Sequence, residues 1–166
     1  FIEGQTLKQW LIDNPRPDLE KVRSIIEQIA KGLRALHRME ILHQDIRPDN
    51  IMIDATGTVK IIDFGSASVA GILEAAISLE QEALLGTAMY SAPEYFLGEV
   101  GSRCSDLYAL GVLTYHMLSG RFPYGTQVAQ AKTLAAQRRL SYSSVLDEER
   151  AIPAWIDATL KKALHP

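Results

Sequence analysis

The chain has 166 residues, a formal net charge of −3 and 47% apolar residues, which suits one globular domain with a sizeable core. This charge excludes a general attraction to nucleic acid, and no apolar run approaches the length of a membrane span. A single cysteine, Cys104, excludes an internal disulfide and indicates a reducing, cytoplasmic setting, although a membrane anchor elsewhere in a longer protein stays open. We expect Cys104 to be a buried structural thiol.

Two helices are predicted in the first forty residues. Thr6 is a typical N-cap for a short helix over residues 7–13, and Pro15 stops it. Asp18 is the N-cap of a longer helix that begins at Leu19. Apolar residues then recur three or four apart, which predicts one buried face, at Val22, Ile25, Ile26, Ile29, Ala30, Leu33 and Leu36.

A polar stretch over residues 43–50 lies between two short apolar segments, 41–42 and 51–53, which are predicted to be buried strands. It holds two carboxylates, an imidazole, a guanidinium and amides within eight residues. Pro48 disfavours a regular helix at its centre. The pattern predicts a fixed loop of polar groups carried on strands.

A hairpin is predicted directly after this loop, with strands over residues 51–54 and 58–62. Gly57 stands in the turn, where a positive φ is wanted. Asn50 precedes the first strand and Asp63 follows the second. Antiparallel pairing therefore predicts that these two polar side chains lie at the same end of the hairpin.

Residues 65–92 show no strong periodicity, and no lysine or arginine occurs between Ile61 and Ser102. Six acidic residues fall in that interval: Asp63, Glu74, Glu80, Glu82, Glu94 and Glu99. A solvated acidic surface is one interpretation, and a preference for basic substrate segments is the other.

The remainder of the chain is predicted to be helical. Ser105 is the expected N-cap of a helix over residues 106–119, whose apolar side chains run nearly all round and predict a buried helix. Residues 126–139 predict a further helix. Pro153 suits the first turn of a last helix that ends near Leu164.

Several motifs in one order resemble the signature of eukaryotic-like serine/threonine protein kinases, with a catalytic loop, a metal-binding DFG and an APE. The motifs are His43-Gln44-Asp45-Ile46-Arg47-Pro48-Asp49-Asn50, Asp63-Phe64-Gly65, Gly86-Thr87, Ala92-Pro93-Glu94 and Ser105-Asp106. The resemblance implies the C-terminal lobe of a kinase fold, mainly α with a small β-hairpin and without the N-terminal lobe. It divides the chain into a hinge (1–5), a catalytic loop (43–50), an activation segment (63–94) and a helical subdomain (105–166).

The resemblance also implies functional roles. Asp45 would be the catalytic base that accepts the proton of the substrate hydroxyl. Asn50 and Asp63 would hold Mg²⁺ (or Mn²⁺), which binds oxygen ligands. For ATP, the backbone of Ile2 would pair with the adenine edge and Met52 would lie beneath the adenine ring.

Other motif positions carry implied roles, and two depart from the family pattern. Thr87 would hydrogen-bond toward the catalytic base, which favours serine and threonine over tyrosine as acceptors. Asp106 would hold the backbone of the catalytic loop. Arg47 stands where serine/threonine kinases usually have a catalytic lysine. Arginine keeps the positive charge there, but its planar guanidinium differs in shape from the ammonium group of lysine. Gln44 replaces an arginine that receives an activating phosphate in many regulated kinases, so such a phosphate is not expected to be obligatory here.

Some family features bear on stability and completeness. His43 and Phe64 are expected to be packing residues. Glu94 usually pairs with an arginine that lies beyond this sequence, and an unpaired buried carboxylate costs about 3–5 kcal/mol. The Gly-rich loop and the ATP-binding lysine also lie outside residues 1–166, so this fragment alone is expected to be inactive.

Two other functions stay open. A pseudokinase acting as a scaffold is favoured by the unusual Gln44 and Arg47, whereas intact Asp45, Asn50 and Asp63 speak against it. A small-molecule kinase would share the catalytic loop and the metal aspartate. Such kinases generally lack the Gly-Thr and Ala-Pro-Glu segment that shapes a groove for protein substrates.

The resemblance implies protein substrates and no nucleic-acid partner. The phrases around the catalytic loop and the DFG resemble bacterial eukaryotic-type kinases more than animal ones, and are similar in particular to kinase domains fused to a metal-dependent protein phosphatase. The segment 126–139 is basic, with Arg138 and Arg139 at its end. A solvated basic face is one interpretation of it, and a docking surface for an acidic partner domain is the other.

Overall fold

The computed structural model describes residues 4–63, 65, 68–69, 88–146 and 150–166. These residues form a mainly helical body with two small antiparallel sheets, which confirms the predicted fold class. The helices are α1 (Leu7–Asp13), α2 (Leu19–Arg38), α3 (Arg103–Ser119), α4 (Leu134–Gln137) and α5 (Ala154–Ala163). The strands are β1 (Gln5–Thr6), β2 (Ile41–Leu42), β3 (Ile51–Ile53), β4 (Val59–Ile61) and β5 (Ser68–Val69).

Both N-terminal helices begin where their caps predict. Thr6 Oγ1 accepts a hydrogen bond from Gln9 N at 3.2 Å, and Asp18 Oδ1 accepts one from Lys21 N at 2.7 Å. Each bond satisfies an amide that the first turn of a helix leaves without an intrahelical partner. The apolar face of α2 is buried as predicted, at Val22, Ile25, Ile29 and Leu33.

The predicted hairpin forms from β3 and β4, with Gly57 in the turn at a φ of 83°. The structure adds two pairings that local sequence did not predict. β1 pairs with β3 and completes a three-stranded sheet, and β2 pairs with β5, so that Ile41 lies opposite Val69. These pairings join segments far apart in the sequence, which turn chemistry alone does not specify.

The core is centred on α3, which packs against α2 and α5. Val112, Leu113 and Tyr115 are fully buried, as the all-round apolar pattern predicted. Gly111 permits the close approach of the C-terminal segment, because a Cβ there would stand 3.0 Å from Leu164 Cδ2. The helix pattern of this region was therefore correctly predicted, apart from its first turn.

Ser105 is not the N-cap of α3, contrary to prediction. The cap is Ser102, whose backbone is extended and whose Oγ accepts a hydrogen bond from Cys104 N at 3.1 Å. Ser105 Oγ accepts one in return from Ser102 N at 2.7 Å, which completes a capping box. Because the helix starts one turn earlier, Cys104 lies on the exposed side of its first turn, so the predicted buried thiol is also wrong.

The predicted helix over residues 126–139 does not form as one element. A 3₁₀ turn at Val128–Gln130 is followed by the short helix α4, which is capped by Thr133. The buried amide of Gln137 lies at the break, where its Nε2 donates to Ala131 O at 3.2 Å and to Pro93 O at 2.7 Å. The Ala131 carbonyl, which a continuous helix would use for a backbone hydrogen bond, thus accepts one from a side chain that also contacts a distant segment.

The last helix, α5, agrees with prediction to within a residue or two, with Pro153 at the N-cap position and its end at Ala163. Leu164 is fully buried, and its carbonyl accepts a hydrogen bond from Tyr124 Oη at 2.8 Å. In the part of the chain that the structure describes, no helix combines the length and the apolarity that crossing a membrane requires.

Candidate active site

One buried carboxylate anchors the backbone of the loop over residues 43–50. Asp106 is 1% exposed and stands in the first turn of α3. Its Oδ2 accepts a hydrogen bond from His43 N at 3.0 Å, and its Oδ1 accepts one from Gln44 N at 2.8 Å. His37 Nε2 lies 2.7 Å from the same Oδ2. The role implied for Asp106 is therefore visible in the hydrogen bonds it accepts.

Two non-glycine residues in the site have a left-handed backbone. Gln44 has a φ of 65° and Asp63 a φ of 60°. Each costs on the order of 1 kcal/mol or more, and such strain persists only where surrounding contacts impose it. At Gln44 the bond from its amide to Asp106 is one such contact. The strained positions lie in the loop over residues 43–50 and directly after the hairpin, where the predicted functional residues lie.

His43 is fully buried and has a defined hydrogen-bonding pattern. Its Nδ1 accepts from Asp45 N at 3.3 Å, and its Nε2 lies 3.2 Å from Ile62 O. Since Nδ1 is an acceptor, the ring proton belongs on Nε2, which then donates to that carbonyl. The ring thus connects the loop to the end of the hairpin, in agreement with the packing role predicted for it.

Asp45 and Asn50 form a direct pair at the centre of the loop. Asn50 is 4% exposed, and its Nδ2 donates to Asp45 Oδ2 at 2.6 Å and to Asp45 O at 2.9 Å. Arg47 Nε lies 3.4 Å from the same Oδ2, and both side chains are about a quarter exposed. The Asp45 carboxylate is therefore oriented by two neighbours while one edge of it reaches solvent.

The hairpin brings Asn50 and Asp63 to one end, as predicted. Ile62 N donates to Asn50 O at 2.9 Å, which places Asp63 one residue beyond that contact. Asp63 is exposed, and its Oδ1 accepts from Gly65 N at 3.0 Å. Asn50 uses its amide nitrogen on Asp45, and among the described residues nothing donates to its Oδ1.

Oxygen donors from Asn50 and Asp63 fit a hard cation such as Mg²⁺, which keeps several waters and needs only one or two protein ligands. A metal site built from three or more protein ligands would be a different kind of site. Within residues 4–63, 65, 68–69, 88–146 and 150–166, no cluster of three His, Cys, Asp or Glu side chains is arranged to hold a metal.

Of the remaining predicted site residues, the structure describes only Met52. Met52 lies in β3, half-buried, opposite Thr6 in β1 and Lys60 in β4. Ile2, Phe64 and Thr87 lie outside the described residues, as does most of the predicted activation segment. The roles predicted for these residues stay predictions.

Comparison with known proteins decides the family, since the protein kinase domain family matches residues 1–165. The chain belongs to the protein kinase domain family. It is similar to serine/threonine-protein kinase PrkC of Bacillus subtilis, with 34% identity over 83% of this chain and 22% of that protein. It is 40% identical to serine/threonine-protein kinase PknA of Corynebacterium glutamicum, over 75% of this chain and 26% of that protein.

A vertebrate relative shows a similar likeness. The striated muscle preferentially expressed protein kinase of Danio rerio is 43% identical over 80% of this chain and 4% of its own length. The chain therefore spans about a quarter or less of the length of these three relatives. The likeness to PrkC and PknA supports the predicted bacterial, eukaryotic-like serine/threonine type of kinase domain.

Glu94 of this kinase domain is half-buried and hydrogen-bonded. Its Oε1 accepts a bond from Ser105 Oγ, the hydroxyl that also completes the capping box of α3. The sequence predicted that the arginine partner of this carboxylate lies beyond residue 166, and Ser105 is a hydroxyl donor, not a cation, so that prediction stays open. Because Ser105 takes part in both bonds, it connects the APE motif to the central helix of the kinase domain.

Sequence reasoning missed an aromatic cluster beside the loop. Tyr90 Oη lies 2.6 Å from His116 Nδ1, and the His116 ring stacks on Phe122 with centroids 4.8 Å apart. Burial is the main cause that raises the pKa of Tyr90, with the Asp49 carboxylate adding to it. The phenol therefore stays protonated and donates to His116. The three residues are 26 and 6 positions apart in sequence, so only the fold reveals the cluster.

We predict that His116 makes the stability of the kinase domain depend on pH. Burial lowers the pKa of His116 below its ordinary value of 6.5. As pH falls from about 7.5 to about 5.5, the unfolded chain binds a proton there that the folded chain resists, so the free energy of unfolding decreases. His116→Phe removes this titration and should flatten the decrease, as measured by urea unfolding at both pH values. His165→Phe, which changes an exposed histidine, is the control and should keep the pH dependence of the unchanged protein. If the free energy of unfolding of His116→Phe changed with pH as much as that of the unchanged protein, the prediction would be wrong.

Proposed function

We propose that this kinase domain transfers the γ-phosphoryl group of ATP to serine and threonine hydroxyls of proteins. The observation that carries the proposal is the Asp45–Asn50 pair, held at 2.6 Å on a loop whose backbone hydrogen-bonds to the buried Asp106. Phosphoryl transfer asks mainly for positioning and for neutralisation of phosphate charge. A rigidly held carboxylate beside an amide and a guanidinium supplies both.

In the proposed mechanism, Asp45 orients the acceptor hydroxyl and takes its proton. A carboxylate is a weak base, which suffices when cleavage of the bond to the leaving group runs ahead of attack. Arg47 lies 3.4 Å from that carboxylate and offers its positive charge to the transferred phosphoryl group. Asn50 and Asp63 would hold Mg²⁺, and the ion would supply positive charge to the phosphate oxygens.

The finer assignments belong to the same proposal and rest on the family resemblance. Ile2 in the hinge (1–5) and Met52 contact the adenine, and Thr87 in the activation segment (63–94) selects hydroxyl acceptors of the serine/threonine class. The helical subdomain (105–166) supports the loop, and the single cysteine favours a cytoplasmic location. A covalently linked phosphatase domain is supported by the similarity of the motif phrases, and a phosphatase assay of the full-length protein tests it.

The test of the proposed function compares acceptors. The full-length protein is supplied with labelled ATP and Mg²⁺, and with either a generic basic protein or small alcohols such as choline and an aminoglycoside. We expect label on serine and threonine of the protein acceptor alone. Transfer only to small alcohols would favour a small-molecule kinase, and nucleotide binding without any transfer would favour a scaffold. Either result would overturn the proposal.

A further inference from the structure

The C-terminal half of α2 and the first turn of α3 enclose an open groove of about 460 Å³. Three guanidinium groups line it, those of Arg34 and Arg38 from α2 and of Arg103 from α3. We call this feature the arginine groove. Arg34 and Arg38 are four residues apart and so lie on one face of α2.

The three arginines of the groove are exposed, and within the described ranges none of them has a hydrogen bond or ion pair. Two other cations on the same helix have a carboxylate partner. Lys31 Nζ lies 2.7 Å from Glu27 Oε1, and Arg23 Nη1 lies 3.8 Å from Glu20 Oε2. Positive charge is thus concentrated in the groove, although the chain as a whole carries −3.

The lining of the groove is not only cationic. Leu33 is buried beneath it, and Leu107, which is 52% exposed, stands at its α3 side. Glu40 is the one carboxylate among the described lining residues, so it offsets only part of the charge of three arginines. The groove therefore offers a strongly cationic surface next to an exposed apolar side chain.

We propose that the arginine groove binds a peptide segment of a partner protein that carries phosphoserine or phosphothreonine beside apolar residues. A guanidinium fork matches phosphate oxygens in a bidentate geometry, and a phosphate of nearly two negative charges complements several arginines better than one carboxylate does. The groove is much larger than a single phosphate ion. Leu107 provides apolar surface for the side chains that flank the phosphorylated residue, which selects a peptide.

The test measures binding to the full-length protein by fluorescence anisotropy, without ATP, so it is independent of the proposed phosphoryl transfer. The probe is a labelled peptide with one phosphoserine between two leucines, and its unphosphorylated form is the reference. We expect the phosphorylated peptide to bind at least about tenfold tighter, and added salt to weaken that binding.

Substitutions of the groove arginines test whether the phosphorylated peptide binds in the arginine groove. The double variant Arg34→Gln, Arg38→Gln and the single variant Arg103→Gln should each weaken binding of the phosphorylated peptide by about tenfold or more. The matched control is Arg23→Gln, Lys31→Gln on the same helix, which should bind like the unchanged protein. All five side chains are exposed, so these changes should not disturb folding.

Three outcomes would overturn the proposal. Equal affinity for the two peptides would exclude phosphate recognition. Unchanged binding in both groove variants would place the peptide elsewhere on the protein. Inorganic phosphate competing at the same concentration as the phosphorylated peptide would show an anion site that does not read a peptide.

Discussion

Asp45→Asn should reduce phosphoryl transfer by the full-length protein at least about a hundredfold, the lower end of what a positioned base contributes. The substitution keeps the size of the side chain but removes the negative charge and the ability to accept a proton. It also places an amide group beside Asn50 Nδ2, which now donates to Asp45 Oδ2 at 2.6 Å. The acceptor hydroxyl would therefore lose both its base and its orientation.

The measurement is initial-rate transfer from labelled ATP to a protein acceptor, together with nucleotide affinity. Nucleotide affinity should change little, since Asp45 is assigned to the acceptor and not to the nucleotide. Asp13→Asn is the matched control, because it makes the same chemical change at an exposed residue at the end of α1. Full activity in Asp45→Asn would show that Asp45 is not the base.

Asp106→Ala should lower the free energy of unfolding by about 3–5 kcal/mol, the range for breaking a buried charged network by removing one partner. The carboxylate accepts hydrogen bonds from two backbone amides, at His43 and Gln44, and contacts His37. Its removal takes this acceptor away from both amides, and a buried donor that loses its acceptor costs about 1–3 kcal/mol. Asp106→Asn should cost less, because one oxygen acceptor remains.

Urea unfolding measures the stability of both variants, and hydrogen exchange of the Gln44 amide reports on the loop itself. We expect faster exchange at Gln44 in both variants, with a larger increase for Ala. The left-handed backbone of Gln44, at a φ of 65°, makes this amide sensitive to the loss of its acceptor. Stability within about 0.5 kcal/mol of the unchanged protein would exclude the anchoring role.

Local chemistry made part of the fold predictable. The caps at Thr6 and Asp18 and the turn at Gly57 depend on neighbours within four residues, so the sequence contains the whole signal. The same chemistry was misread at α3, where two serines three residues apart form a capping box and the box begins at Ser102. The cap decided the exposure of Cys104 as well.

Contacts between distant residues were beyond local signals. The helix predicted over 126–139 is interrupted where Gln137 donates to Ala131 O within that segment and to Pro93 O, 44 positions away. His37 and Asp106 are 69 positions apart, and Arg150 hydrogen-bonds to the carbonyl of Pro17 across 133 positions. Because periodicity and capping report only on neighbours in the chain, such pairs become visible once the helices are packed.

The same distinction between local signals and contacts of distant residues applies to the candidate site. The side chains that the loop and the hairpin carry were predictable from the sequence, since Asp45, Asn50 and Asp63 stand in ordered motifs and the hairpin brings the last two to one end. What holds that loop and what surrounds it became visible in the folded protein: the buried Asp106 network, the Tyr90–His116 contact and the arginine groove between α2 and α3. A motif specifies the chemistry of residues that are neighbours in the chain, whereas orientation and burial come from elements that meet only when the chain has folded.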